Sequence, residues 1–195
     1  MLSIKQINQP LLSNVSVEHV QQKLEKYATS QIAHFNSILQ SNEIANAFNG
    51  HIEEEEFQTL SNVPYALFLF KKDALFFWNS NTIAAPEQKL AFDIPIPFID
   101  KNGQYIWMKK RVGDSSLHQY AVAAILLKYE NNLSPKYCRK NFAVGDNEND
   151  YGIKMSLTKV PNSVCLTIQG VESYYIYSSN PFFIIYDING WRLFF

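Results

Sequence analysis

Three residues of one short segment, Asp114, Ser115 and His118, are of the types that form a hydrolytic triad. A triad requires the hydroxyl, the imidazole and the carboxylate to lie in line at hydrogen-bonding distance. Side chains this close together along one turn cannot easily reach that geometry, and Asp and Ser are common turn residues. The segment is therefore better explained as a turn, and the sequence offers no other support for a hydrolase with a dispersed active site.

An acidic segment, Asp146, Glu148 and Asp150, alternates in the manner of a calcium loop. The EF-hand loop needs Gly at its sixth position and Glu at its twelfth. Counted from Asp146, those positions hold Tyr151 and Leu157. The comparison fails at both positions, so we expect an exposed acidic loop.

The remaining candidates for chemistry are isolated. The run Glu53–Glu56 is expected to be a charged exposed face of a connector or short helix, because carboxylates packed this closely repel one another. The four histidines are scattered, and His19 and His34 are too far apart to share a metal on one helix. Nucleotide-binding loops and paired Cys-x-x-Cys motifs are absent. The sequence predicts no catalytic residue, metal ligand or cofactor.

The bulk properties fit one domain of 195 residues with a sizeable core. A formal net charge of −1 gives no reason to expect nucleic-acid binding. No stretch approaches the roughly 20 apolar residues of a membrane span, and the N-terminus lacks the apolar core of a signal peptide. Cys138 and Cys165 are consistent with one disulfide or with two free thiols, so they do not decide the compartment.

A long helix is predicted from Ser16, a plausible N-cap, to Asn49, with Gly50 free to take the left-handed conformation that ends a helix. Apolar residues recur at alternating spacings of three and four, which gives one apolar stripe. Run without interruption, this helix would be roughly 50 Å long, more than the diameter of a compact domain of this size. We expect a break at Asn42–Asn46.

A hairpin is predicted at Pro64–Asn81, with a tight turn at Lys71–Asp73. Tyr65, Leu67 and Leu69 are predicted on one face, and Ala66, Phe68 and Phe70 on the other. Apolar and aromatic residues on both faces indicate a place in the middle of a packed sheet. After a proline-broken connector, Gln104–Val112 alternates strictly, with Tyr105, Trp107, Lys109 and Arg111 on one face. His118–Lys128 is predicted to be a central strand.

The C-terminal part of the chain is predicted to contain one helix and several strands. The helix is expected at Ser134–Phe142, and the strands at Ile153–Leu157, Val164–Gln169, Tyr174–Tyr177 and Phe182–Asp187.

This order resembles the PAS-like extracytoplasmic sensor fold called Cache or PDC, in the form found in bacterial membrane-bound histidine kinases. Three segments carry the likeness: ALFLFKKDALFFWNSNTIAAPE, NGQYIWMKKRVGDSSLHQYAVAAILLKYENN and SPKYCRKNF. The resemblance implies an α+β fold with a long N-terminal helix packed on a central antiparallel sheet. Residues 1–50 would be a membrane-proximal signalling helix, and residues 51–195 would be the sensor domain, forming one structural unit with that helix.

The resemblance also implies a function. The chain would be a periplasmic sensor region of a two-component histidine kinase, held in the membrane by flanking helices outside this chain and dimeric in the full receptor. The kinase modules are not present here, so this segment is expected to have no enzymatic activity. The apolar stripe of Val17–Leu39 would pack partly on the sheet and partly against a second protomer.

A ligand would bind in the concavity between the sheet and the layer that covers it. Six residues are the candidates on this interpretation: Trp78, Tyr105, Trp107, Lys109, Arg111 and Tyr120. Aromatic walls with two cations suit a small anionic or amphipathic ligand, although the signal could also be a periplasmic partner protein. The simpler explanation is that the aromatic residues are core and the cations are solvated.

A second function remains open at this point. The same sheet could belong to a non-enzymatic extracellular interaction or scaffold domain with no small ligand. A well-formed pocket favours the sensor, whereas a filled core with a large exposed apolar patch favours the scaffold.

Overall fold

The structure, a computed structural model, describes residues 11–86, 90–113, 118–130, 142–145, 153–177, 186–187 and 190–191. Several sequence predictions lie outside these residues. They are the helix at Ser134–Phe142 except for its last residue, the turn residues Asp114 and Ser115, the acidic segment at Asp146–Asp150, and Cys138.

Three helices form the N-terminal part: α1 at Leu11–Ile38, α2 at Asn42–Asn49 and α3 at Glu54–Ser61. The predicted start at Ser16 is wrong, since α1 already includes Leu11 and Ser16 lies within it. The predicted break is real but lies earlier than Asn42–Asn46. Ser41 takes an extended conformation (φ −84°, ψ 160°), which separates α1 from α2 and leaves Asn42 as the first residue of the second helix.

Local chemistry explains where α2 ends and α3 begins. Gly50 ends α2 with φ 77°, as predicted, and its N–H donates to the carbonyl of Ala47. The glutamate run begins α3, where the side chain of Glu56 accepts from the backbone N–H of Glu53 in a capping box. Acidic side chains in a first turn also suit the helix dipole. This confirms the short-helix alternative for the run.

The central sheet has five antiparallel strands: β1 Ala66–Lys71, β2 Ala74–Trp78, β3 Ile96–Ile99, β4 Gly103–Arg111 and β5 Gln119–Tyr129. Their spatial order is β2-β1-β5-β4-β3, so β5 is central, as predicted. The turn at Lys72 and Asp73 is confirmed, since both residues have the positive φ that a tight hairpin turn requires. The fold class is α+β, with helices beside antiparallel sheets.

The hairpin is not in the middle of the sheet as a whole, contrary to the prediction. β1 is buried on both faces, but β2 is an edge strand with most of its residues exposed. Aromatic content alone did not reveal this, because single apolar residues are common on protein surfaces. The first strand alone fits the expectation of a central, doubly covered position.

A second sheet follows, with β6 Ile153–Ser156, β7 Val164–Ile168 and β8 Val171–Tyr177 in the order β6-β8-β7. A two-stranded pairing of β9 Tyr186–Asp187 with β10 Gly190–Trp191 ends the described chain. Three of the late strands were therefore predicted at nearly the right positions, although β8 begins three residues earlier than expected. Of the strand predicted at Phe182–Asp187, only the last two residues are among those described. The sequence did not indicate that β6, β7 and β8 form a sheet of their own.

The helices cover one face of the central sheet, which we call the helix face. Phe35 and Ile38 of α1 pack there with α2, α3 and residues of the strands such as Leu67 and Ala123. The N-terminal half of α1 packs instead on the second sheet. The buried residues of the predicted stripe are thus all used within one protomer: Val17, Val20, Leu24, Ala28, Phe35 and Ile38.

The opposite face of the central sheet, which we call the cleft face, carries Ala66, Phe68 and Phe70 of β1. The alternation predicted for the two faces of β1 is therefore confirmed. The connector between β2 and β3 covers part of this face, where Ile83 and Leu90 are buried. None of the helices, as far as the structure describes them, is long and apolar enough to cross a bilayer.

Candidate functional site

A cleft of about 1360 Å³ opens on the cleft face, between the sheet and the β2–β3 connector. It lies at the end of the sheet where β1 begins and β5 ends. The volume exceeds the roughly 300–1,000 Å³ of a typical small-molecule pocket because the cleft is open to solvent along one side. The cleft lies on the sheet face that carries Tyr105 and Trp107, and ligand binding there stays a prediction.

The floor of the cleft is built by small residues. Ala66 of β1 lies directly opposite Ala124 of β5, and both line the cleft. A side chain as short as that of alanine leaves the space above the sheet unfilled. Phe68 and Leu126, which flank this pair, form the apolar sides.

The wall that follows β2 is held by amide side chains. Asn79 accepts a hydrogen bond from the backbone N–H of Leu67 (2.7 Å) and donates to the carbonyl of Tyr65 (3.0 Å). The side chain thus continues the ladder of β1 after β2 has ended. The indole of Trp78 donates to Asn81 (2.9 Å), while the residue as a whole remains 51% exposed. The segment Trp78–Asn81 therefore forms one wall of the cleft, and its position is fixed by these hydrogen bonds.

The opposite wall is the turn between β3 and β4. Asp100 accepts from the backbone N–H groups of Asn102 (2.7 Å) and Gly103 (2.9 Å), which fixes the turn. Asn102 donates through its amide to the carbonyl of Thr82 in the connector, and its own carbonyl accepts from the N–H of Glu130 (3.0 Å). The turn, the connector and the end of β5 are thus joined around the cleft.

Tyr105 lies between the floor and this turn and is only 5% exposed. Burial raises the pKa of its phenol to about 12, and the neighbouring Asp100 and Tyr129 act in the same direction. The phenol is therefore neutral throughout the physiological range. It can supply a ring and a hydroxyl to a bound molecule, but not a negative charge.

Glu130 lies at the rim of the cleft and also belongs to a buried polar network. Its carboxylate pairs with the ammonium of Lys128 (3.0 Å) and accepts from the amide of Gln104. Lys128 and Gln104 both donate to the carbonyl of Met155 in β6 (3.1 and 3.2 Å). The ammonium of Lys128 is largely removed from water, so this carboxylate compensates its charge.

The six sequence-predicted site residues share the cleft face, but the structure separates them into three groups. Trp78 and Tyr105 line the cleft. Trp107 is 2% exposed and packs among the core rings Phe68 and Phe98. The other members, Lys109, Arg111 and Tyr120, lie toward the far end of the sheet and do not line the cleft.

That far group is a cation–aromatic cluster. The ammonium of Lys109 lies 3.9 Å from the ring centre of Tyr120 and 4.3 Å from that of Phe92. The guanidinium of Arg111 lies 4.6 Å from the Phe92 ring. Burial lowers the pKa of Lys109, with Arg111 contributing in the same direction and Asp73 opposing it. Both cations already have aromatic partners within the chain, which accounts for their place in the fold.

Sequence reasoning missed several residues that build the cleft: Ala66, Asn79, Asn102, Ala124, Tyr129 and Glu130. Two signals were available. A short side chain in an otherwise bulky strand marks unfilled space, and an Asn directly after a strand often replaces a ladder partner. Neither signal says which loop will cover the space. The described residues contain no group of three or more His, Cys, Asp or Glu side chains placed to hold a metal ion.

The cleft combines an apolar floor and exposed rings with polar side chains from the β2–β3 connector and the β3–β4 turn. Comparisons with known proteins identify no relative: neither a family model, nor a curated protein, nor a solved structure matches the chain.

Proposed function

We propose that the chain is a signal-sensing domain that binds a small molecule in the cleft. In its finer form, the proposal is that of the sequence resemblance. The domain would be a PAS-like Cache sensor, extracytoplasmic, belonging to a two-component histidine kinase and dimeric in the full-length receptor. The observation that supports it is the open cleft of about 1360 Å³ on the sheet face opposite the helices, because a scaffold domain needs no such space.

A route for signal transmission supports the proposal. Glu130 lines the cleft, and through Lys128 and Gln104 it is linked to the backbone of Met155 in β6. β6 belongs to the sheet on which the N-terminal half of α1 packs. A ligand that shifts the rim of the cleft would therefore change the packing of α1 on the second sheet. The populations of the original and the shifted packing arrangement would then depend on how much of the protein has ligand bound.

The exposed side of α1 is the part of the helix that could contact a second protomer. Because the apolar stripe is buried within the protomer, a contact between the helices of two protomers would use polar residues such as Gln22, Lys26 and Ser30. Such a contact is weaker than an apolar seam and would form where membrane anchoring raises the local concentration of the two chains.

The test is to fill the cleft. Ala66→Leu places a larger apolar side chain on its floor, while Ala45→Leu adds the same volume at an exposed position of α2 as a matched control. Purified protein would be screened by thermal shift against a library of amino acids, amines, carboxylic acids and sugars. We expect a hit with the unaltered chain and with Ala45→Leu, and no hit with Ala66→Leu. Hits that bind all three variants equally would contradict the proposal.

The scaffold alternative has one observation in its favour. Leu75, Phe76 and Trp78 of the edge strand β2 are partly exposed, and no described strand pairs with its outer edge. A scaffold domain would use this edge to bind a protein. Phe76→Lys, at a residue of this edge that does not line the cleft, would then abolish binding of the partner protein and leave small-molecule binding unchanged. A sensor would instead lose small-molecule binding in Ala66→Leu.

A further inference from the structure

The charged side chains that line the cleft compensate one another. Within the described part of the chain there are three: Asp100, Lys101 and Glu130. Glu130 pairs with the largely buried ammonium of Lys128 (3.0 Å), and Asp100 and Lys101 are consecutive residues of opposite charge in the β3–β4 turn. An ion that leaves water for such a site loses its hydration without gaining an uncompensated counter-charge, which costs free energy. The cleft therefore favours a ligand without net charge.

The cleft is long enough for several linked units. Trp78 lies opposite Phe68, which in turn lies opposite Val122 of β5. Tyr129 lies seven residues beyond Val122, which is roughly 20 Å farther along β5 at about 3.3 Å per residue. Trp78 and Tyr129 both line the cleft. A molecule that contacts both rings is therefore an extended one.

These two rings are accessible to a ligand. Trp78 and Tyr129 are 51% and 47% exposed, and the hydrogen bond from the indole to Asn81 fixes the position of Trp78. An exposed ring that is already held in place can be covered by a flat apolar surface with little loss of side-chain entropy. A sugar ring offers such a surface, because its C–H groups point to its faces while its hydroxyls lie around its edge.

Polar groups that can donate and accept hydrogen bonds lie beside the rings. They are amide and hydroxyl side chains of the lining: Asn79, Ser80, Asn81, Thr82 and Asn102. Within the part of the chain that the structure describes, the Nδ2 of Asn81 and the Oδ1 of Asn102 have no hydrogen-bond partner. The Tyr105 phenol, whose pKa burial raises to about 12, adds a neutral hydroxyl. Such groups match the hydroxyls of a sugar, each of which both donates and accepts.

We infer that the cleft binds an uncharged oligosaccharide, with one sugar unit on Trp78, another on Tyr129 and the units between them over Ala66 and Ala124. This inference rests on the proposed function, since it assigns a ligand class to the same cleft. It differs from the anionic ligand that the sequence suggested, because Lys109 and Arg111 do not line the cleft.

An extended peptide fits the cleft less well. Peptides that bind in an extended conformation commonly pair their backbone with the exposed edge of a sheet. The floor of the cleft is instead the face of β1 and β5, two inner strands that are paired on both sides. Their backbone groups are already used in the ladders, so a ligand meets side chains there.

The test uses three neutral tetrasaccharides, cellotetraose, maltotetraose and tetra-N-acetylchitotetraose, together with their monosaccharides. Tetragalacturonate, which carries a carboxylate on each ring, is the charged probe, and acetylated and amidated tetraserine is the peptide probe. Binding is followed by isothermal titration calorimetry. We expect at least one neutral tetrasaccharide to bind, and its monosaccharide to bind about tenfold or more weakly because one unit reaches only one ring. Tetragalacturonate and tetraserine should also bind more weakly.

Two variants locate the binding. Trp78→Ala and Tyr129→Ala each remove an exposed ring, and each should weaken binding of the tetrasaccharide by about tenfold. Phe57→Ala removes a ring of similar exposure (44%) on α3 that does not line the cleft, so it should leave the affinity unchanged. Circular dichroism checks that each variant folds. If Tyr129→Ala does not fold, Tyr129→Leu removes the ring while keeping an apolar side chain.

The remaining outcomes separate the inference from the proposed function. Tighter binding of tetragalacturonate or tetraserine would overturn the inference, as would tetrasaccharide binding that Trp78→Ala and Tyr129→Ala leave unchanged. If no tetrasaccharide binds, the inference fails as well. A hit in the library screen that is lost in Ala66→Leu would in that case leave the proposed function standing, whereas a screen without any hit would overturn both.

Discussion

The two faces of the central sheet are built from the same strands but differ in what covers them. On the helix face, three helices with apolar stripes lie over Leu67, Leu69 and Ala123, and the space is filled. On the cleft face, the cover is an irregular connector that contributes Ile83 and Leu90, and the end near Ala66 is left open. A regular element carries a repeating apolar pattern that fills a surface. A proline-broken connector has no such pattern, so it fills the space above the sheet only where its individual side chains reach the strands.

This difference shows why the alternation of β4 was informative about orientation and not about binding. Tyr105, Trp107, Lys109 and Arg111 do share one face, yet one lines the cleft, one is core and two contact rings elsewhere. Position along the strand decides which part of the cover a side chain meets. Substitutions can test two claims: that the helix face is filled and the cleft face is not, and that the cleft face itself divides into core and cleft.

The largest difference in stability is expected between variants of two tryptophans that both lie on the cleft face. Trp107→Ala removes a fully buried ring and should lower the free energy of unfolding by about 3–5 kcal/mol. Trp78→Ala removes an exposed ring and should cost less than about 1 kcal/mol. Urea denaturation of both variants measures the difference. Equal losses would mean that the two tryptophans have the same environment, which contradicts the division of this face into core and cleft.

The second prediction compares how much stability is lost when an alanine is enlarged on each face of the sheet. Ala123→Leu adds three heavy atoms to the filled helix face and should destabilise the fold by about 1–3 kcal/mol through overpacking. Ala66→Leu adds the same atoms on the cleft floor, where we expect a loss below about 1 kcal/mol. Thermal and urea unfolding provide the measurement. A greater cost for Ala66→Leu would show that the floor of the cleft is already filled.

A smaller effect is expected for the cation–aromatic cluster. Lys109→Met removes the ammonium over the Tyr120 and Phe92 rings and should cost about 0.5–1 kcal/mol. Affinity for any ligand found in the cleft should remain unchanged. Lys110→Met, which removes the partly exposed pair with Asp93 (2.6 Å), is the control at the next residue of the same strand. A loss of ligand binding in Lys109→Met alone would restore Lys109 to the ligand site.

The last effect appears only in alkaline solution and is absent at neutral pH. Burial raises the pKa of Tyr105 to about 12 from the ordinary value of 10, so the unfolded chain loses this proton before the folded chain does. The stabilisation is complete below pH 10 and is lost as the pH rises to about 12. Stability measured over this interval should fall less steeply for Tyr105→Phe than for the unaltered chain. An identical slope would show that Tyr105 is solvated in the cleft.

The sequence was a good guide wherever structure depends on neighbours along the chain. The positive-φ turn at Lys72–Asp73, the helix end at Gly50 and the alternation of Ala66, Phe68 and Phe70 were all predicted and observed. The helix start and the position of the break were missed. Those features depend on a balance of weak local preferences that adjacent packing can shift by several residues.

The candidate site was only partly predictable. Trp78 and Tyr105 were named from the sequence, whereas Glu130 and Asn102 were not, since nothing in a sequence marks a carboxylate at the end of a strand as a cleft residue. Glu130 gains its position from three partners that are distant in sequence or on different strands: Lys128, Gln104 and, through them, Met155.

By itself, then, the sequence determined the elements and the face on which each side chain lies, because helix and strand periodicity are local properties of the backbone. The tertiary structure decided which strand became an edge, which half of α1 packs on which sheet, and where the cover leaves a cleft. These depend on contacts between residues far apart in the chain, whose register is fixed only when the layers pack together.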